Sequence, residues 1–490
     1  MTEGDELHDV VVVGAGFAGI AMGVALKASG RDFLILEKAD EIGGTWRENR
    51  YPGCACDVPA HLYSFSFEPN PYWSKTFADA DEIQDYLLYC VEKYALRPHL
   101  RTDATVQHAR YDAATGVWTV TVASAWGELR QLRARALVLG VGALHEPVVP
   151  DLPGLETFEG ELRHTATWDR GLSVQGRRVG VIGTGSSGVQ IIPPLAEDAA
   201  HLTVFQRTPA WVLPRDNTDY SEATIDRFER HPMVMRAHRT QLRATHDARG
   251  RAFTDHPGLL RAMQLRARRH LAAAVSDPTL RERLTPGYTM GCKRILLSDD
   301  YYPAMARPDV TLATDAIERV EPRAVVTADG TRHEVDFLVL ATGFDPIGSY
   351  RYLGVTGLDG RVLGQEFAHD AQTYLGVTVP AFPNLFVLLG PNTLLGHTSV
   401  LLMLEAQVAL TMRLLDERDR RGARAVQVRP EVVPGFMAEI DRRSEGSVWE
   451  SGCHSWYLDD AGRNRTLWPG SVREYERRLT RPELVDYTFG

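Results

Sequence analysis

Cysteine is scarce in this chain, with Cys54, Cys56, Cys90, Cys292 and Cys453 the only five in 490 residues. An odd number with no repeated interval does not describe a disulfide framework. Cys54 and Cys56 are followed by no second Cys or His pair at metal-ligand spacing, so no metal site is expected. Long apolar runs are missing as well, and none approaches the roughly 20 residues needed to span a bilayer. The N-terminal stretch MTEGDELHDV lacks a basic segment followed by an apolar one and does not read as a signal peptide. A cytoplasmic location without membrane association is the expectation. Positive charge is also short: 54 Lys and Arg face 64 Asp and Glu, a formal net charge of −10. That balance argues against a nucleic-acid partner, because phosphate-backbone binders concentrate cations. It leaves room for a local basic pocket around a phosphorylated small molecule. No low-complexity segment is present, and nothing repeats except two glycine fingerprints.

What is present describes ordinary globular protein, 44% hydrophobic and 24% charged. The length allows one to three domains and a core large enough to enclose a cofactor. Three apolar runs each meet glycine: Val10–Val13 into Gly14, Val179–Ile182 into Gly183, and Phe337–Leu340 into Ala341-Thr342-Gly343. Continuous runs of this kind suit parallel strands buried on both faces. Helix-compatible sequence follows the first two, beginning with an Ala-rich stretch at 18–27. The fold class is therefore α/β, with two Rossmann-like dinucleotide-binding domains. From about Ser221 to Arg283 the texture turns to Arg, Ala, Leu, Met and His, and two or three amphipathic helices inserted in the second domain are expected. The Pro-rich segment EPVVPDLPG at 146–154 marks a crossover. The mixed-sign run ERDRRGAR at 417–424 reads as a solvated helix end. The expected division is 1–145, 146–334 with the helical insertion, and 335–490 completing the first domain.

Gly14, Gly16 and Gly19 form G-A-G-F-A-G between a strand and a helix, the arrangement that lets a pyrophosphate approach a helix N-terminus. The next strand, Phe33–Leu36, ends at Glu37. A carboxylate there accepts ribose hydroxyls and repels a 2′-phosphate, which fits FAD or NAD(H). Gly183, Thr184, Gly185, Ser186, Ser187 and Gly188 form the second fingerprint. The strand Leu202–Phe205 after it leads to Gln206-Arg207-Thr208, with no carboxylate. Arg207 and Thr208 suit the 2′-phosphate of NADPH through charge-assisted hydrogen bonds.

Three longer motifs give the chain a family resemblance. Phe158-x-Gly160-x-x-x-His164-x-x-x-Trp168-Asp169, Gly43-Gly44-x-Trp46-x-x-x-x-Tyr51-Pro52-Gly53-x-x-x-Asp57, and Asp336-x-x-Val339-x-Ala341-Thr342-Gly343-Phe344 are spread over nearly the whole sequence. In them the chain resembles the type I Baeyer–Villiger monooxygenases, within the wider flavin-containing monooxygenases. The resemblance implies FAD at the first fingerprint, with Gly44, Thr45, Trp46, Asp57, Tyr63 and Val106 beside it, and NADPH at the second. It makes the third apolar run the strand returning to the FAD domain, and His164 a linker residue with Trp168 and Phe158 as packing. In Gly291-Cys292-Lys293-Arg294 it gives Lys293 as a second phosphate ligand and Arg294 as the catalytic cation, partnered by Asp57. Trp456 is matched to a tryptophan that holds the nicotinamide ribose, although the following YLDDAGRNRTLWPG departs from the common pattern. The loop LGPNTLLGHTS at 389–399 is expected to wall the cavity, with His397 a structural histidine.

The reaction implied starts from reduced FAD and O2, forms a peroxyflavin kept anionic by Arg294, and inserts one oxygen beside a ketone carbonyl to give an ester or lactone. The physical demand falls on Arg294, since an unpaired buried anion is unfavourable and a guanidinium stays protonated. A flavin-containing N- or S-oxygenase acting on amines or sulfides shares both dinucleotide folds and is the alternative. A flavin disulfide reductase needs a CxxC or CxxxxC pair, and Cys54-x-Cys56 is neither. A non-enzymatic flavin-binding role leaves two intact fingerprints without a purpose. The ketone and the oligomeric state are not legible.

Overall fold

The computed structural model describes residues 7–254, 256–453 and 455–490. The first six residues of the N-terminal stretch lie outside them. In the first sheet Leu7–Val13 pairs parallel with Phe33–Leu36 on one side and Leu129–Leu139 on the other. Side chains alternate between faces. Val10 and Val12 pack with Phe33, Ile35 and Val138 on the face of helix Phe17–Ala28. Val11 and Val13 pack with Leu34, Leu36 and Leu139 on the other. Burial on both faces is why the run needs no polar alternation. Leu129–Leu139 also closes an antiparallel meander with Ala104–Asp112 and Val117–Ser124, and takes Leu385–Val387 as a further parallel neighbour. The long helix Val400–Arg420 packs into the core beside Phe17–Ala28. At its end Glu417 pairs with Arg420 and Arg421 at 2.6 Å in solvent, while Arg418 is buried and pairs with Asp419. The 417–424 run is therefore mostly, and not wholly, a solvated end.

The second sheet has five parallel strands in the order Val310–Ala313, His201–Phe205, Arg178–Ile182, Phe337–Leu340, Glu161–His164. Phe337–Leu340 was expected to return to the first domain, and it does not. It is held in the second sheet, where Asp336 accepts hydrogen bonds from Arg178 Nε at 3.0 Å and Nη2 at 2.7 Å. The chain crosses only after Gly343. There Phe344–Asp345 pairs antiparallel with Glu146–Pro147 of the outgoing crossover, and the Val148 N–H donates to the Gly343 carbonyl at 2.9 Å. Both crossings thus run side by side, and the boundary read at 335 falls about one strand too early. Trp168 is buried against Phe337 at 5.6 Å between rings, and His164 Nδ1 accepts the Ala166 N–H at 3.0 Å next to the crossing.

Among the described residues the insertion holds four helices: Glu222–Arg230, Pro232–Thr254, Pro257–Ala274 and Pro278–Arg283. Each of the last three begins at proline. Proline is tolerated in a first helical turn and cannot continue a helix from upstream, so it divides a compositionally uniform stretch. Cys292 and Cys453 form a disulfide across 161 residues with their Cα atoms 6.3 Å apart. The sparse cysteine pattern gave no sign of it, because a lone long-range pair leaves no spacing signature. Among the described residues no helix is long and apolar enough to cross a membrane, and no group of three or more His, Cys, Asp or Glu could hold a metal ion.

Candidate active site

The first glycine turn is closed and rigid. Gly14 has φ +97°, its N–H donates to the Leu36 carbonyl at 2.8 Å, and a Cβ there would lie 2.6 Å from the Gly140 oxygen. Helix Phe17–Ala28 touches the strand so closely that a Cβ on Gly19 would fall 1.9 Å from the Gly14 oxygen. Gly44, at φ +55°, opens helix Thr45–Glu48 opposite Gly16, where a Cβ would come within 3.5 Å of its Cα. Glu37 is buried at the strand tip, accepting the Ala15 N–H at 2.7 Å and the Ala39 N–H at 3.0 Å. Each carboxylate oxygen keeps a lone pair for a sugar hydroxyl. Trp46 is buried and donates its indole N–H to the Tyr63 hydroxyl at 3.3 Å, and Tyr63 stands edge-on to Phe17. Val106 lies in Ala104–Asp112, in the same packed layer as Val13 and Leu36.

The second turn repeats the backbone and differs at the periphery. Gly183 has φ +109° and donates to the Phe205 carbonyl at 3.1 Å, and a Cβ on Gly188 would lie 2.2 Å from the Gly183 oxygen. A Cβ on Gly185 would meet nothing within 4 Å. Exposed Ser186 and half-buried Ser187 start a helix whose first N–H groups have no side-chain cap at Gly185. Thr184 Oγ1 donates to the Thr208 carbonyl at 3.2 Å, tying the turn to the strand tip. Arg207 is exposed at that tip. Lys293 approaches from another segment, and burial and then the charge of Arg207 lower its pKa. Among the described residues neither cation pairs with a carboxylate. Two facing cations beside an open helix N-terminus make a place for an anion.

Asp57 and Arg294, 237 residues apart, form a bidentate pair: Nε donates to Oδ2 at 2.6 Å and Nη2 to Oδ1 at 2.7 Å. The carboxylate is placed by the Tyr51-Pro52-Gly53 turn. Gly53 has φ +81°, and a Cβ on it would sit 2.5 Å from the Gln190 oxygen of the second domain's helix. Tyr51 donates to Gln190 Oε1 at 2.7 Å, Gln190 Nε2 to the Ala55 carbonyl at 2.9 Å, and Arg215 to the Cys56 carbonyl at 2.8 Å. Arg294 follows Gly291, at φ +91° beneath the Phe253 ring, and disulfide-bonded Cys292. Its Nη1 reaches the Leu395 carbonyl at 3.4 Å in the 389–399 loop. Burial opposes charge on Asp57, yet Arg294 holds its carboxyl below the ordinary range. Asp57 in turn raises the guanidinium pKa far above its ordinary value, against the burial that opposes it. The two side chains keep 29% and 24% of their surface accessible, so a reacting group can reach them. Burial pushes the Cys54 thiol up to about 12 and raises Cys56 further, which leaves both protonated and unreactive.

Known proteins place this architecture. A chain of Streptomyces coelicolor named Baeyer-Villiger monooxygenase is 41% identical over 493 residues, covering 99% of this chain and 94% of that one. The chain belongs to the Baeyer–Villiger monooxygenases. A closed crystal structure of cyclohexanone monooxygenase superposes with a TM-score of 0.88 at 31% identity, with 99% of each chain covered. A structure titled OTEMO in complex with FAD and NADP gives a TM-score of 0.88 at 26% identity, again with 99% of each chain covered. The NAD(P)-binding Rossmann-like family model matches residues 12–80, and the L-lysine 6-monooxygenase/L-ornithine 5-monooxygenase model matches 61–346. The second model matches part of the chain, whereas the Baeyer–Villiger relative matches 99% of it. The enzyme is accordingly an FAD- and NADPH-dependent monooxygenase.

In this Baeyer–Villiger monooxygenase the remaining expected residues divide. Trp456 stands 42% exposed with its ring 4.8 Å from Tyr457, and no indole hydrogen bond joins it to the second turn among the described residues. His397 packs against the insertion: a Cβ on Gly250 would lie 2.4 Å from its Nε2, and burial lowers its pKa to about 4. His246 donates from Nδ1 to the His397 carbonyl at 2.9 Å, fastening the loop to the insertion. Sequence reasoning named the 389–399 loop, which brings Leu395 to the ion pair, and missed Tyr457 beside the pair and Phe253 over Gly291. Gly250 within a helix of stronger helix formers was the available sign of a close approach there.

Proposed function

We propose that this monooxygenase places one oxygen atom from O2 next to the carbonyl of a small-molecule ketone, giving an ester or lactone, with Arg294 and Asp57 at the reacting centre. The observation that carries this reading is the bidentate Asp57–Arg294 pair, joined across both domains and partly open. Gly14, Gly16, Gly19, Glu37, Gly44, Thr45, Trp46, Asp57, Tyr63 and Val106 hold FAD, and Gly183, Thr184, Gly185, Ser186, Ser187, Arg207, Thr208, Lys293, Arg294 and Trp456 hold NADPH. The narrow cradle between Gly16 and Gly44 and the facing cations Arg207 and Lys293 fit these groups. When bound, they supply the hydride and the oxygen chemistry. Arg294 has five N–H donors, and Asp57 occupies two. The Leu395 carbonyl takes a third, and two remain for the negative charge that builds on the ketone oxygen, where a preorganised donor lowers the barrier. Asp57 fixes the orientation and keeps the cation charged.

The test is NADPH consumption in air with cyclic, linear, aromatic and steroidal ketones, and mass analysis for a gain of one oxygen. A sulfide and an amine run in parallel measure the heteroatom-oxidising alternative. Arg294→Ala is expected to retain FAD and to lose ester formation by about 10²–10³-fold. Ester at the wild-type rate from that variant sinks the assignment.

A further inference from the structure

Tyr457 is 2% exposed, yet its hydroxyl makes no hydrogen bond of normal geometry among the described residues. A buried hydroxyl left without a partner is unfavourable, and native structures retain few of them. Tyr301 and Tyr487 also carry such hydroxyls, but they lie in the packed cores of the two domains. Tyr457 lies elsewhere. Its ring packs with Trp211, Phe253 and Trp449 under the helical insertion. A Cβ on Gly396 would lie 4.0 Å from its oxygen, and the preceding Leu395 carbonyl is the one that Arg294 Nη1 reaches at 3.4 Å. Burial keeps the phenol protonated and therefore a donor, while Arg294 and Asp57 act on it electrostatically and the guanidinium lies within weak hydrogen-bonding reach of its oxygen. The disulfide sets this placement. Cys453 stands four residues before Tyr457 and Cys292 two before Arg294, so one covalent link holds both segments together.

We propose that Tyr457 donates its O–H to the carbonyl oxygen of the substrate, alongside Arg294, and thereby favours ketones over heteroatom substrates. This rests on the ketone reading above. A carbonyl oxygen has two lone pairs, so it accepts from the guanidinium and the phenol together. The donation strengthens as charge grows on that oxygen, which makes it a contribution to turnover beyond ground-state binding. A sulfide offers no carbonyl and gains nothing from the phenol.

The experiment compares wild-type and Tyr457→Phe holoenzymes on a ketone that the wild type converts, and on methyl phenyl sulfide. The variant is expected to lose about tenfold in kcat/KM for the ketone, the value of one hydrogen bond. Sulfoxide formation should stay within about twofold. FAD content should be unchanged, and the melting temperature equal or higher, because the removed oxygen makes no hydrogen bond of normal geometry. Equal losses on ketone and sulfide, an unchanged ketone rate, or loss of FAD or of several degrees of stability would each overturn the role. A wild type that makes sulfoxide and no ester from any ketone would remove the ketone reading itself, and this role with it.

Discussion

The two glycine turns have nearly the same backbone and opposite surroundings. At both, the first glycine has φ near +100° and the third leaves no room for a Cβ. Around Gly16 the chain closes in, with Gly44 opposite and Glu37 pinned by two backbone N–H groups. Around Gly185 it stays open, and the nearby charges are Arg207 and Lys293. The shared part is what any dinucleotide pyrophosphate requires: a tight turn, a close strand–helix contact and free amide donors. The differing part is where one ligand can be told from another. An enclosed turn with a carboxylate suits a resident flavin, and an open turn with cations suits a phosphorylated nucleotide that enters and leaves.

Substitutions at matched places break this comparison if it is wrong. The largest effect is expected from Gly14→Val, which adds bulk 2.6 Å from the Gly140 oxygen at a φ that β-branched residues avoid. Purified protein should be colourless, whereas Gly185→Val, which meets open space, should keep its flavin absorbance and lose response to NADPH. Arg207→Ala should raise KM for NADPH by about 10–100-fold, the range of a charge-assisted hydrogen bond, and leave KM for NADH within about twofold. Equal rises for both nucleotides would separate Arg207 from the 2′-phosphate. The smallest effect is a pH dependence. Burial and Arg207 lower the Lys293 pKa, and a lysine is charged only below its pKa, so the phosphate ligand is lost as pH rises. KM for NADPH should increase about threefold on the alkaline side, earlier than an ordinary lysine would cause, while KM for NADH stays flat. Lys293→Arg should abolish the increase.

Much of this contrast was legible before any coordinates. Four-residue valine and leucine runs, glycines at fixed intervals, and Glu37 or Arg207 at a strand tip are local signals, because each follows from a few consecutive dihedrals and side chains. The pairing of Asp57 with Arg294 was legible only through family resemblance, since no local rule relates residues 237 apart. The third apolar run was read correctly as a strand and assigned to the wrong sheet. Its sequence fits any parallel sheet, and the structure places it between Glu161–His164 and Arg178–Ile182. The insertion was underdivided because prolines at the first helical positions look permissive inside a uniform composition.

The chain's own order of residues therefore determined the strands, the two turns and the charge at each strand tip, all within short stretches of backbone. Only the tertiary structure decided which residues surround Arg294. Asp57, Leu395 and Tyr457 come from three distant segments, and Cys292 finds Cys453 across 161 residues. The reason is physical: contacts between distant segments depend on how whole sheets and helices pack, and that packing is a property of the assembled core that no short stretch encodes.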